Sequence, residues 1–451
     1  MRSLLRAQLF FLVAVLAWTR AVGALGAEPS PGQPAMETPK ALEDEFPEIR
    51  QAGEKLRQGD IDGARELLDK LVEAHPELPP AALLMARFFA QANDRAGVRH
   101  WLQVAVADEP DDPEAYVLLG DLNMQENRFA EADALYEEAL ERVEDTQAED
   151  ARSRDVALRA LVGRSAVAEV RSEWDTARGY LEQVLAERPN DSGVLQRLAR
   201  VLFQQGKAEE ALEKLRAAAK ADPTVLTPEA TMAQFYEQAG DRQKATESMI
   251  AALKARPRDL NTRLAAAQWA LSIGQFKTAE QQAEAALILD PKSTNAQVLR
   301  GIVAMFLKDY ATAAKFFQQA YLQEPNNFAA SNYLALALAH SNEPQQRQRA
   351  FEFAENNVRR NPDHQEAYST LGWTLYRIGR LEDAERAFQT VVAMGPLPAD
   401  TAYYWARLNA DRGNRQQAIE LAESALKTSG PFFMRPETEQ LLEQLKKGQS
   451  R

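Results

Sequence analysis

The sequence predicts an all-α solenoid, a right-handed superhelix of about eleven helix-turn-helix units followed by one further helix. Three observations carry that expectation: a period of 34 residues, two amphipathic stretches in each period, and a proline that closes nearly every period. Prolines stand at Pro76, Pro110, Pro189, Pro223, Pro257, Pro291, Pro325, Pro362 and Pro396, with gaps of 34, 79, 34, 34, 34, 34, 37 and 34 residues. Each gap is a multiple of 34 once insertions of eleven residues near 147–157 and three residues within 341–346 are allowed.

The chain before the repeats falls into two parts. Residues 1–27 carry early cations at Arg2 and Arg6, an apolar run over 9–18 and then small residues, which is the layout of a secretory signal. Ten apolar residues followed by Arg20 fall short of the about 20 needed to cross a bilayer, so a cleaved signal is expected in preference to an anchor. Cleavage after Ala24 and cleavage after Ala27 both fit. Loss of three arginines and no acid takes the net charge from −13 to about −16. The mature chain is then expected in the periplasm or outside the cell, with no integral span. Residues 28–44 hold Pro29, Pro31, Pro34 and Pro39 among polar residues and read as a semi-rigid spacer.

With each proline at position 32, units begin at Glu45, Pro79, Pro113, Leu158, Ser192, Leu226, Leu260, Thr294, Phe328, Gln365 and Ala399. They occupy residues 45–146 and 158–432, three before the charged insertion 147–157 and eight after it. Position 8 is always Ala, Gly or Ser, and position 20 is Ala in ten units of eleven, with Val98 the exception. In the unit from Gln365, apolar residues recur at three- and four-residue intervals in two stretches parted by Gly379. Small residues at positions 8 and 20 let two helices approach, while Leu371, Leu375, Phe388 and Val391 fill the contact. A lone hairpin cannot cover both apolar faces, so each unit must bury one on its neighbour. Residues 433–451 form a last helix and tail, with Pro436 suited to a first turn, a stripe of Leu441, Leu442 and Leu445, and Lys446 and Lys447 at its end. This helix is read as a solvating cap.

At this point the sequence resembles the tetratricopeptide repeat family. The pattern stands as Tyr116, Leu119, Gly120, Ala132, Tyr136 and Ala139 in the third unit, and as Tyr368, Leu371, Gly372, Ala384, Phe388 and Pro396 in the tenth. Departures are Val98 at position 20, Glu144 where the third unit lacks its proline, Asn357 at position 27 of the ninth, and a weak first helix in the unit from Glu45. The resemblance implies a protein or peptide partner held on the concave face of the first helices, at positions 2, 5, 9 and 12. In the second to fifth units these positions supply Arg87, Glu114, Asp121, Arg159, Glu169, Gln196 and Arg200. In the seventh to tenth they supply Leu264, Val298, Ile302, Met305, Leu336, Trp373 and Tyr376, so the groove is expected to turn apolar. Two readings of that set stand: packing between neighbouring first helices, or a peptide anchored by Trp373 and Tyr376. Relatives that dock chaperone carboxylates use Lys at position 5 with Asn at position 9, a pair that no unit here has.

Composition narrows the chemistry further. With no Cys, thiol nucleophiles, disulfides and zinc–thiolate sites are excluded, and His75, His100, His340 and His364 are scattered without ligand spacing. A net charge of −13 argues against a nucleic-acid face, which needs clustered cations. Carboxylate pairs such as Asp111 with Asp112 and Glu137 with Glu138 fall on solvated faces or turns. No cofactor, metal or catalytic residue is expected. The leading expectation is a non-catalytic scaffold exported by a bacterium, serving by family analogy in envelope assembly, secretion or polysaccharide export, within or beside a membrane-associated complex. Two rivals are an enzyme-associated subunit or divergent transferase with a hidden site, and a membrane-tethered adaptor that keeps its signal.

Overall fold

A computed structural model of the chain describes residues 42–146 and 151–447. The expected signal at 1–27, most of the spacer at 28–44, residues 147–150 of the insertion and residues 448–451 lie outside the described residues. Among the described residues, helix follows helix with no strand. They divide between Pro228 and Glu229 into two compact units.

The first unit is a stack of five hairpins. These pair α1 (Pro47–Arg57) with α2 (Ile61–Ala74), α3 (Ala81–Gln91) with α4 (Arg95–Asp108), α5 (Pro113–Gln125) with α6 (Phe129–Thr146), α7 (Ala151–Val170) with α8 (Trp174–Glu187), and α9 (Ser192–Gln204) with α10 (Ala208–Ala221). The second unit holds α11 (Pro228–Gln238) and α12 (Arg242–Ala255), α13 (Leu260–Ser272) and α14 (Phe276–Leu289), α15 (Thr294–Phe306) and α16 (Tyr310–Gln323), α17 (Phe328–Ala339) and α18 (Pro344–Arg360), α19 (Gln365–Arg377) and α20 (Leu381–Met394), α21 (Ala399–Asp411) and α22 (Arg415–Leu426). The last helix, α23 (Arg435–Lys447), packs on α22 and α21, and Leu441 is buried as the apolar stripe predicts. Even the weak opening helix, α1, forms a hairpin with α2.

Local chemistry sets the boundaries. Asp60, Asp94, Asp191, Asp241, Asp259 and Asp309 each accept a hydrogen bond from the backbone N–H of the second or third helical residue that follows. Between the two helices of most hairpins, position 15 turns through the left-handed region, where φ is +75° to +86° at Gly59, Gly206, Gly240, Gly274, Gly379 and Gly413. Four units place a residue with a side chain there instead: Asn93, Asn127, Ser172 and Lys308.

The repeat positions explain the packing. Every position-20 Ala is fully buried, and Val98 in its place is nearly so, at 8% exposed. In three units position 8 is Gly and receives the aromatic ring at position 24 of the same unit. A Cβ added at Gly120, Gly301 or Gly372 would come within 2.5–2.6 Å of the Tyr136, Phe317 or Phe388 ring. Glycine there admits a large ring where the other units carry Ala or Ser.

The described part of the first insertion, 151–157, and the last residues of the second, 344–346, belong to helices. Flanking the first, α6 and α7 run to 18 and 20 residues, and beside the second α18 has 17, against 12–14 in most other helices. The charged insertion makes contacts of its own: Arg152, at the start of α7, donates to the Asp112 carboxylate at 2.7 Å and to Glu114 at 2.8 Å. Asn357, the departure in the ninth unit, is buried in α18 and accepts a hydrogen bond from Ser331 Oγ of α17 at 2.8 Å.

Candidate functional site

In the first unit the polar residues expected to face a partner face one another. Arg87, 6% exposed, donates to Glu114 at 2.9 Å, joining position 9 of the second repeat to position 2 of the third. Asp121, again at position 9, accepts from Tyr136 Oη at 2.7 Å and lies 3.4 Å from Arg159, at position 2 of the next repeat. Glu169 pairs with Arg197 at 2.9 Å, and the Gln196 amide turns back to Ser192. Arg87 and Asp121 are therefore structural ties between repeats, and only Arg200 of the expected polar anchors is exposed. Complementary charge at positions 9 and 2 of successive repeats discloses the first two pairings, whereas Glu169 and Arg197 stand at positions 12 and 6.

Asp121 has an altered acidity. Burial pushes its carboxyl up from 3.8 to about 6, against the lowering effect of the Tyr136 hydroxyl and Arg159. A carboxyl raised in the folded state contributes stability that is complete below its unfolded value and is lost as pH rises through about 6. Lowering pH from about 7.5 to about 5 is expected to favour the wild-type chain over Asp121→Asn by roughly 2–4 °C in melting temperature. A difference that stays constant with pH would contradict this acidity.

In the second unit the apolar set is core. Val298, Ile302, Met305 and Leu336 are buried in the single chain, and Leu264 is packed against the same cluster. Trp373 is 4% exposed, stacked on Tyr404 at 4.4 Å and on Tyr376 at 5.1 Å. His340 lies flat on Tyr310 at 4.1 Å, and burial lowers its pKa to about 3, which keeps the ring neutral. These residues correct the expectation of an open apolar groove, because the neighbouring first helices already cover them. Leu264 and Tyr376 are only partly buried, and Tyr376 donates its hydroxyl to Asp411. Trp373→Ala is consequently expected to cost about 3–5 kcal/mol of stability in the second unit, read by chemical denaturation, instead of a selective loss of partner. An unchanged denaturation midpoint would restore Trp373 as a surface anchor.

The face that remains is covered from within the chain. Phe433, in the stretch between α22 and α23, lies on Phe306 of α15 at 4.6 Å and against Tyr333 of α17 at 6.1 Å. Lys308 Nζ donates to the Phe433 carbonyl and to the Glu437 carboxylate, the latter at 2.8 Å. Asp400, on the first turn of α21, accepts the Met434 backbone N–H at 2.9 Å and lies 3.4 Å from the Phe433 nitrogen. The cap therefore does more than close the last hairpin. Lysine at a turn position held elsewhere by Gly, Asn or Ser was the visible clue.

Among the described residues no group of three His, Cys, Asp or Glu is placed to hold a metal, and no helix is long and apolar enough to cross a membrane. Models described as tetratricopeptide repeat match residues 55–122, 113–145, 171–234, 264–326, 298–346 and 369–432. The chain belongs to the tetratricopeptide repeat family. As a tetratricopeptide repeat protein it is a protein-interaction scaffold in its general character. A 193-residue stretch, 42% of the chain, is 28% identical to cellulose synthase operon protein C of Xanthomonas axonopodis pv. citri (strain 306) and spans only 12% of that relative. A tetratricopeptide repeat protein from Parabacteroides merdae shares 14% identity over 64% of this chain and 98% of its own, with a TM-score of 0.40. Yeast Tom70 shares 14% over 90% of this chain and 97% of its own, with a TM-score of 0.38.

Proposed function

We propose that the chain is a non-catalytic scaffold of the bacterial cell envelope, exported by a cleaved signal, that grips segments of partner proteins along the face formed by the first helices of its repeats. The observation that carries this reading is the use made of its ionisable groups. Arg87 with Glu114, Asp121 with Arg159 and Glu169 with Arg197 tie successive repeats together, so charge on the first helices supports the array and does not converge on a reaction centre. Such an array offers surface, which suits it to holding other proteins. The likeness to cellulose synthase operon protein C supports a partner within an envelope polysaccharide-synthesis assembly. Export is supported by the cations, apolar run and small residues of 1–27.

The test is capture from an envelope extract with the exported chain as bait, joined to mass measurement of that chain's N-terminus. A reproducible set of envelope proteins and a start at Leu25 or Glu28 are expected. A start at Met1 would replace export with the tethered-adaptor reading, and turnover of a substrate by the purified chain would replace the scaffold with an enzyme.

A further inference from the structure

We propose that the surface formed by α15, α17 and the first turn of α21 is a peptide-docking site held closed by the chain's own residues 431–437, and that the partner it takes is a peptide of the same pattern, an aromatic residue followed four positions later by a carboxylate. The proposal rests on the groove-binding reading above and names the occupant's chemistry.

The resident segment makes each contact a docked peptide would make. The Phe433 ring is seated between Phe306 and Tyr333, its carbonyl and the Glu437 carboxylate both meet Lys308, and its backbone nitrogens meet Asp400. These partners lie on the repeats from Thr294, Phe328 and Ala399, so one short segment ties three repeats together, 125 and 129 residues downstream of the Lys308 it meets. Main-chain hydrogen bonds with one aromatic anchor and one ion pair are the means by which grooves recognise peptides.

Two features distinguish the segment from the hairpins, although Phe432 and Met434 beside Phe433 are buried against them. It follows Gly430, whose φ is +86°, and its approach is fixed by Arg435, which donates to the Thr428 and Gly430 carbonyls. The segment thus has a turn of its own, distinct from the hairpins it covers. Lys308, moreover, holds φ +63° at a turn where glycine is free of strain and serves six other repeats. A lysine there is unfavourable locally, and its ammonium contributes through the ion pair and carbonyl contact it makes with the segment. Burial pushes the Asp400 carboxyl up to about 6, which fits a group lying beneath a cover.

The probe is a labelled synthetic peptide of residues 429–442 added to the full chain. Phe433→Ala loosens the resident segment and leaves the docking surface untouched, so it is expected to bind the peptide at least tenfold more tightly than the wild type. Glu437→Gln, which removes only the ion pair, is expected to give a smaller gain and serves if Phe433→Ala misfolds. Adding Lys308→Gly to Phe433→Ala should abolish most of the gain, as should Ala in place of the peptide's own Phe433. Lys308→Gly alone should hasten hydrogen exchange over 431–437 without lowering the melting temperature, because the left-handed turn is relieved.

Equal binding by wild type and Phe433→Ala, or no binding by a folded Phe433→Ala chain, overturns the proposal. A wild-type dimer that Phe433→Ala converts to monomer also overturns it, since the occupant is then a second copy. Envelope proteins captured by the wild-type chain while the peptide never binds would defeat this site and leave the scaffold reading standing.

Discussion

Tyr136→Ala is expected to lower the stability of the first unit by about 3–5 kcal/mol, the range for emptying a large aromatic site in a close-packed core. The ring is 1% exposed and enclosed from two sides: a Cβ on Gly120 would meet it at 2.6 Å and one on Gly163 at 2.4 Å. Those glycines belong to α5 and α7, so the ring fills the contact between two successive repeats. Its removal also takes a hydroxyl from the buried Asp121 carboxylate, adding an electrostatic cost to the cavity. Stability in an array is a sum of repeat and neighbour terms, so the damage should remain local. Hydrogen exchange should accelerate through α5–α8 and stay unchanged over α15–α22. A uniform acceleration across both regions would show that the array unfolds as a single cooperative block.

Glu114→Ala is expected to cost about 3–5 kcal/mol because it leaves Arg87 charged and enclosed without its counter-ion. The Glu114 side chain is 8% exposed and that of Arg87 7%. Burial alone would raise the Glu114 pKa; the Arg87 and Arg152 guanidinia outweigh it and hold the carboxyl below its usual value. A depressed carboxyl contributes stability present above its unfolded value and lost as pH falls through the folded one, so this tie weakens only in acid. Joint replacement by Arg87→Met and Glu114→Leu removes both charges and should recover most of the loss. The urea midpoints of Arg87→Met, of Glu114→Leu and of the double variant measure this. Near-additive losses would mean that the two side chains act separately and that the tie has no energetic content.

Much of the fold was legible because each repeat solves the same problem locally. Position 8 had to be small to admit the side chain at position 24, a ring in three units, position 20 had to be small enough to bury, and position 15 had to turn left-handed. These demands recur every 34 residues and leave their mark on composition. The face of the first helices was harder to read, since one period describes both a packed residue and a presented one. Val298, Ile302 and Met305 occupy positions that lie open in an isolated hairpin and closed in a stack. The Arg152 contact with Glu114 was hidden because the insertion shifts register by eleven residues, which removes the spacing by which neighbours are recognised. The Phe433 contacts were hidden for a different reason: periodicity identifies adjacent repeats, and Lys308 lies three repeats upstream of the segment it holds.

The order in which this polypeptide is made gives that distant contact a further meaning. Phe433 is synthesised 125 residues after Lys308. At the usual rate of about 5–20 residues per second, the Phe306 and Tyr333 rings wait on the order of ten seconds for Phe433 in every nascent molecule. A chaperone or an early-binding protein meets them in that interval without having to displace anything, so newborn and finished copies present different surfaces to the cell.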